Sequence, residues 1–293
     1  MTRQAQGLLL STAVVISMGL AACSAKVEPE RSTERQAELA RAEGPAEPAC
    51  AEHRRHRGPV AVVIASVRQH AAPRPEQEAT LAAVEQELAE HRAARRVVKE
   101  RLRASAVAIL RAPSADPESV DRAVDEAMDA VEERVQKGSD ALEEIHAVLD
   151  PDQRKAVAAA LRAHVEQQLG PRPGDEQQKR VRIDRFASRL MLSSLQIDKL
   201  MAVKKELFGD QSVHPSREEI YAVVDAFEGE GFGDRLRELR EKKTALLRER
   251  ARNAGRRSDE VLGIFSPEQR ALIADLILEG PRKVLGDEPP EAM

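Results

Sequence analysis

The aromatic residues of this chain, Phe186, Phe208, Tyr221, Phe227, Phe232 and Phe265, all lie in its second half, and there is no tryptophan. Sandwiches, barrels and doubly wound sheets fill their cores with aromatic and β-branched side chains, so this scarcity excludes them. The chain is rich instead in Ala, Arg, Glu and Leu, which are strong helix formers. Apolar residues make up 42% of it and charged residues 33%, enough apolar surface for a core and too much for a fully disordered polymer. Its 293 residues fit one large or two ordinary domains. The expected fold is all-α, built as tandem long helical hairpins behind a disordered N-terminal tether.

Several function classes drop out early. The formal net charge is −4, so no global excess calls for nucleic acid. Two cysteines cannot build a disulfide framework. GxGxxG and GxxxxGK[ST] phosphate motifs are absent, as are HExxH and GxSxG. Carboxylates are abundant, but they sit on helix faces among Arg and Lys. The chain is expected not to be an enzyme and to need no cofactor.

Residues 1–22 read as a secretory signal, with Arg3 as the positive region and Gly7 to Leu20 as the apolar stretch. Leu20-Ala21-Ala22-Cys23 resembles the lipobox of bacterial lipoproteins. That resemblance implies that Cys23 is lipid-modified and becomes the first residue of the mature chain. Ser24, in place of Asp, implies sorting to the outer membrane. Residues 23–58, with Pro29, Pro45, Pro48 and few large apolar groups, form a flexible tether. Within it Cys50, His53 and His56 stand at C-x2-H-x2-H spacing. Thiolate and imidazole suit zinc or copper ions, although Arg54, Arg55 and Arg57 crowd the set with positive charge. The other reading is a polar tether with a stray thiol.

Beyond the tether, long helical patterns alternate with short breaks. Glu76 to about Arg111 is one pattern, Pro113 to Pro117 breaks it, and a second runs to about Val148. Pro151 restarts a third that ends near Gly170. Gly170-Pro171-Arg172-Pro173-Gly174 is the clearest boundary. The pattern then repeats. Leu81 to Leu88 aligns with Leu200 to Leu207, and Leu149 to Arg154 with Phe265 to Arg270. The order is the same and the offsets nearly equal, which argues for an internal duplication. The first unit spans 59–170 and the second 175–282, and 283–293 is an acidic, proline-containing tail.

Three segments share one grammar: Leu149-Asp150-Pro151-Asp152-Gln153, Leu192-Ser193-Ser194-Leu195-Gln196 and Phe265-Ser266-Pro267-Glu268-Gln269. A fourth, Pro73 to Gln77, keeps only the Pro-Glu-Gln end. Each reads as a helix start. Asp150, Ser193 or Ser266 is the N-cap, and Pro151 and Pro267 suit the first helical position. Gln153, Gln196 and Gln269 at N3 close a capping box. The preceding Leu or Phe turns into the core.

With these boxes recurring at a set spacing, the chain resembles the LTxxQ-motif periplasmic proteins of the Spy/CpxP-like family. The resemblance covers about residues 60–280 as two tandem units. It implies a four-helix unit built as a bent hairpin, and a homodimer that forms a cradle. Asp150, Ser193 and Ser266 depart from the family's Thr, and Phe265 from its Leu. The implied function is an ATP-independent chaperone or envelope-stress protein. It would sit in the periplasm, membrane-anchored through Cys23, and bind unfolded or partly folded envelope proteins. Two alternatives stay open: a zinc or copper sensor, and an adaptor that regulates an envelope sensor kinase.

The units differ in charge. Residues 115–148 carry eleven acidic and three basic side chains, and 232–257 carry ten basic and four acidic ones. Either the units attract each other and stack as a pseudo-dimer inside one chain, or Arg235, Arg237, Arg240, Lys242, Lys243, Arg248, Arg250 and Arg252 form a client-binding face. Two solvated faces are the plainer reading. The aromatic, basic second unit is the expected binding surface, and the first is a scaffold or lid. Replacing the cap Ser266 with Ala should lower stability by about 0.5–2 kcal/mol, read as a fall in melting temperature.

Overall fold

The computed structural model describes residues 58–169, 184–208, 213 and 215–279. The expected signal, almost all of the tether, the joint at 170–175 and the tail lie outside the described residues. Among those described the structure is helical, with no strand.

Proline sets the starts. Helices α1 (Pro59–His70), α2 (Pro75–Arg111), α3 (Pro117–Val148) and α4 (Pro151–Leu169) each begin on one. A missing N–H costs nothing at that position. Asp116 caps α3 by accepting from Ser119 N at 3.0 Å. In the second half come a helical segment at 184–189, then α5 (Ser194–Phe208), α6 (Arg217–Ala226), α7 (Phe232–Arg256), α8 (Ser258–Leu262) and α9 (Pro267–Glu279). Here the expectation of a second long helix fails. The counterpart of α2 is split into α5 and α6. Gly209 and Pro215 fall in the gap, and Pro disfavours helix in the residue before it. Ser216 then restarts the chain, its Oγ accepting from Glu219 N at 3.1 Å while Glu219 Oε2 accepts from Ser216 N at 2.8 Å.

The two units insert into each other. The turn between α2 and α3 contributes Val107, Leu110, Ala115, Val120 and Val124 to a core closed by Phe186, Leu190, Phe265 and Ile277 of the second unit. In return the turn between α6 and α7 contributes Phe227 and Phe232 to a core closed by Ile64, Leu81, Ile145 and Val157 of the first. Between these cores α3 and α7 run antiparallel. Ala251, Ala254 and Gly255 are buried on α7, and Gly255 lies against Val120 and Val124.

Charge is distributed along the same contact. Arg248 bonds to Glu132 at 2.6 Å and Asp129 at 3.3 Å, and Arg252 faces Asp125 at 3.8 Å. The expected attraction between the acidic and basic helices is present in this geometry. Such half-exposed pairs contribute about 0–1 kcal/mol each. Burial of the two shared apolar cores contributes more, so high salt should weaken the docking without separating the units.

His146, in the last turn of α3, ties the second core together. Its ring stacks on Phe232 at 4.9 Å and meets the edge of Phe227 at 5.1 Å. Its Nε2 lies 3.0 Å from Gly229 O. A carbonyl only accepts, so Nε2 carries the hydrogen. Burial, with help from the Arg154 guanidinium, holds the imidazole below its ordinary value of 6.5. The unfolded chain therefore takes up the proton first, and stability is lost as pH falls through that value. Thermal unfolding should show a lower melting temperature at about pH 5 than at about pH 7.5, and the His146→Phe variant should show a smaller difference.

Candidate functional site

The helix-start motifs meet in pairs. Gln77 at N3 of α2 and Gln153 at N3 of α4 are both buried. Gln77 Nε2 donates to Gln153 Oε1 at 2.8 Å, and Gln153 Nε2 donates back to Gln77 Oε1 at 3.1 Å. Each second amide hydrogen reaches a main-chain carbonyl: Val148 O at 2.7 Å from Gln77, and Ala71 O at 3.1 Å from Gln153. Each Oε1 also accepts the N-cap amide of its own helix, from Arg74 at 2.8 Å and Asp150 at 3.1 Å. Side-chain amides thus satisfy backbone groups that helix ends leave open.

The second unit repeats the node. Gln196 Nε2 donates to Gln269 Oε1 at 2.8 Å and to Ile264 O at 2.7 Å. Gln269 Nε2 donates to Leu190 O at 3.0 Å. The N-cap amides of Ser193 and Ser266 close on Gln196 and Gln269, each at 2.9 Å. This node is only half-buried.

Backbone conformation marks the duplication as well. Among the described residues, Ala72 and Met191 are the non-glycine residues with positive φ, at 43° and 50°. They are 119 positions apart, the same offset as Leu81 and Leu200. Each is the left-handed residue that ends a helix. At Met191 the bonds are those of a Schellman turn, with Met191 N to Ser188 O at 3.1 Å and Leu192 N to Ala187 O at 2.8 Å. At Ala72 the next residue is Pro73, which has no N–H for the second bond. Both turns aim the preceding carbonyl, Ala71 O or Leu190 O, at a glutamine amide.

Residues 62–161 match the family model described as LTXXQ motif family protein. This segment is similar to LTXXQ motif family proteins. The match includes Gln77 and Gln153 and ends before the second node. The family is of periplasmic type. Among curated proteins and solved structures nothing matches the chain.

The motif residues of the LTXXQ unit sit as caps. Leu149 is buried, and Asp150 Oδ1 accepts from Gln153 N at 2.9 Å. The motif at Pro73 to Gln77, expected to be mostly lost, keeps its glutamine in the node. Arg74 at its N-cap has no acceptor. Its guanidinium instead bonds Glu76 at 2.9 Å and reaches Asp150 at 3.4 Å, so it bridges the two motifs. In the second unit Phe265 is buried and Leu192 is half-buried against the core. Ser266 Oγ accepts from Gln269 N at 3.2 Å, and Ser193 Oγ accepts from Gln196 N at 3.3 Å.

The basic residues of α7 do not share one open face. Arg248 and Arg252 face α3, and Arg250 is buried. Lys243 at 2.7 Å and Lys242 at 2.9 Å bond to Glu219, and together, Lys243 most, they hold its carboxyl down at about 2. Arg235 bonds Glu238, Arg237 pairs with Asp234 at 3.2 Å, and Arg240 is half-buried.

A basic face that the motifs and the charge contrast did not point to lies on α2 of the LTXXQ unit. Residues 92, 96, 99, 103, 107 and 110 succeed one another at steps of three and four, so they form one stripe. Towards the C-terminal end α9 covers the stripe, and Val107 and Leu110 are buried. Towards the N-terminal end α1 covers it: Leu81 is buried, and Arg68 bonds Glu78 and Glu85. Between the two covers Arg92 and Arg96 are exposed and Lys99 is half-buried. Among the described residues no carboxylate pairs with these three, whereas Arg103 takes Glu100 at 2.7 Å. Ala93, Ala94 and Val97 beside them are also exposed. The 4-3-4 spacing of basic residues was the available signal.

Cys23, Cys50, His53 and His56 lie outside the described residues. Among those described, no group of three or more His, Cys, Asp or Glu is placed to hold a metal ion, and no helix is long and apolar enough to cross a membrane. Replacing Gln153 with Leu strands Ala71 O and the Gln77 amide. It should cost about 1–3 kcal/mol in chemical denaturation, and Gln269→Leu, in the wetter node, should cost less.

Proposed function

We propose that the chain is a periplasmic, membrane-tethered binding protein, anchored by lipid at Cys23, that holds unfolded or partly folded envelope proteins without ATP. The observation that carries this reading is the uncovered middle of α2. There Arg92, Arg96 and Lys99 lie beside exposed Ala93, Ala94 and Val97, between the end of α2 that α9 covers and the end where Arg68 of α1 bonds Glu78 and Glu85. Unfolded segments present charge and small apolar groups in no fixed pattern. A surface that offers both makes contacts that are individually weak and quickly broken. The matched segment resembles LTXXQ proteins of periplasmic type, a setting that supports such a role.

The two nodes and the reciprocal cores have a structural part in this reading. They fix both ends of α2, and α3 packs along one side of its middle through Glu87, His91 and Arg101, which leaves the basic side presented. The mature chain should suppress the aggregation of an unrelated unfolding protein, followed by light scattering. Arg92→Glu with Arg96→Glu should weaken that suppression about tenfold in the concentration required, and Arg237→Glu should leave it unchanged. Equal suppression by all three proteins would place client binding elsewhere.

A further inference from the structure

The two hairpin tips are gripped by equivalent arginines. Arg154 and Arg270 stand 116 positions apart, the same offset as Leu149 and Phe265. Arg270 Nη1 donates to Ala112 O at 2.9 Å and Pro113 O at 3.3 Å, in the turn after α2. Arg154 Nη1 pairs at 3.2 Å with Glu230, in the turn after α6. One buried position then differs between the two ends. Where the first unit has His146, the second has Leu262 at the same offset. Leu262 shares its core with Val107, Leu110 and Ala115 of the first tip. His146 packs on Phe227 and Phe232 of the second. One tip therefore closes on a hydrocarbon and the other on a group that can take up a proton.

A charge at His146 is poorly received. Both phenylalanines are buried, and α1 adds only apolar side chains such as Val63 and Ile64 to that core. On α4, Arg154 faces the histidine, its Nε donating to His146 O at 3.1 Å. In the turn stands Glu230. On α3, Glu143 lies one turn back, against Gly233 of α7. Asp150, four residues on, is reached by Arg74 of the segment before α2. The Glu230 side chain is 94% exposed and that of Arg154 only 12%, so water weakens the favourable charge more than the opposing one. Main-chain groups of Gly229 and Phe227 favour the proton, but burial first and Arg154 second oppose it and prevail. The turn itself is lightly packed: a Cβ at Gly229 or Gly231 would meet nothing within 4 Å. It is held by the two rings and by the His146 and Arg154 bonds. Arg162 pairs with Asp225 and Glu228 at the end of α6, and these half-exposed bonds can persist while the turn beyond them lifts. We infer that protonation of His146 releases the turn between α6 and α7 from α3 and α4 and uncovers Phe227 and Phe232 as an apolar surface, while the opposite tip, closed on Leu262, stays shut. The partner such a surface fits is an unfolded segment rich in apolar side chains. That use rests on the client reading, whereas the opening itself does not.

The test is ¹⁹F NMR of the full mature chain, its five phenylalanines replaced by a fluorinated analogue and assigned through single Phe→Leu variants. From about pH 7.5 to about pH 5, the Phe227 and Phe232 signals should move together towards the position of solvent-exposed rings. Those of Phe186 and Phe265, in the other core, should hold theirs. Anilinonaphthalene sulfonate, a dye that brightens on apolar surface, should gain severalfold in fluorescence over the same range. His146→Leu, which installs the side chain of the equivalent position, should abolish both changes. Phe227 and Phe232 signals that stay fixed in the wild-type chain would overturn the latch, whether or not the variant folds. So would movement of all four signals together, which is loss of the whole fold, or opening that persists in His146→Leu. No client enters these readouts, so their failure leaves client holding to its own assay.

Discussion

Helices that meet end to end bring unpaired backbone N–H and C=O groups into one dry place, and every other feature of the fold accommodates that fact. A cap on each helix would satisfy the donors separately. The glutamine pair does more, because a primary amide both accepts and donates. Gln77 and Gln153 accept the N-cap amides of their own helices and bond each other. They direct their remaining hydrogens to the carbonyls of Val148 and Ala71, where the preceding helices stop. Four chain segments are fixed by two side chains. Glutamate lacks the donors and leucine lacks both functions, which is why a glutamine recurs in every copy of the motif. The left-handed residues Ala72 and Met191 belong to the same requirement, since a carbonyl can be aimed at the amide only if the chain turns sharply after it.

Much of this was legible in the sequence, for particular reasons. Prolines at first helical positions and acidic or serine caps announce their helix starts locally, so α2, α3, α4 and α9 could be placed from the chain alone. The scarcity of aromatics and the helix-former content pointed to the class. The pairing of glutamines was not legible, because a capping box looks the same whether or not its side chain reaches a second helix. Nor was the role of Arg74: a cap position without an acceptor reads as a lost motif, although its guanidinium bridges to Asp150. The charge contrast between α3 and α7 was visible. Which charges face inward was not, since Arg248 and Arg250 differ from Arg237 only in where α3 lies. The basic stripe of α2 was not legible because six acids nearly balance seven bases along its helix, and only the neighbouring helices single out the stretch left open.

The copies have diverged in the element that joins their motifs. Both keep the node, and both keep a hairpin tip that fits the other's base. They differ in the long helix that joins them. In the LTXXQ unit that helix is continuous over 37 residues, whereas in the other it is interrupted between α5 and α6. A duplicated chain would be expected to offer two equal faces. This one offers a single uninterrupted one, on the unit that the aromatic distribution had marked as scaffold.

The reciprocal insertion of the two units changes how the molecule responds to abundance. When two separate chains cradle each other, the assembly falls apart on dilution, and a scarce protein is mostly unassembled. Joining the halves makes the second encounter intramolecular, at an effective concentration of about millimolar for short linkers. The degree of assembly then no longer depends on how many copies a cell makes. Both halves of the contact come with every molecule, so the reciprocal cores form without an encounter between two chains.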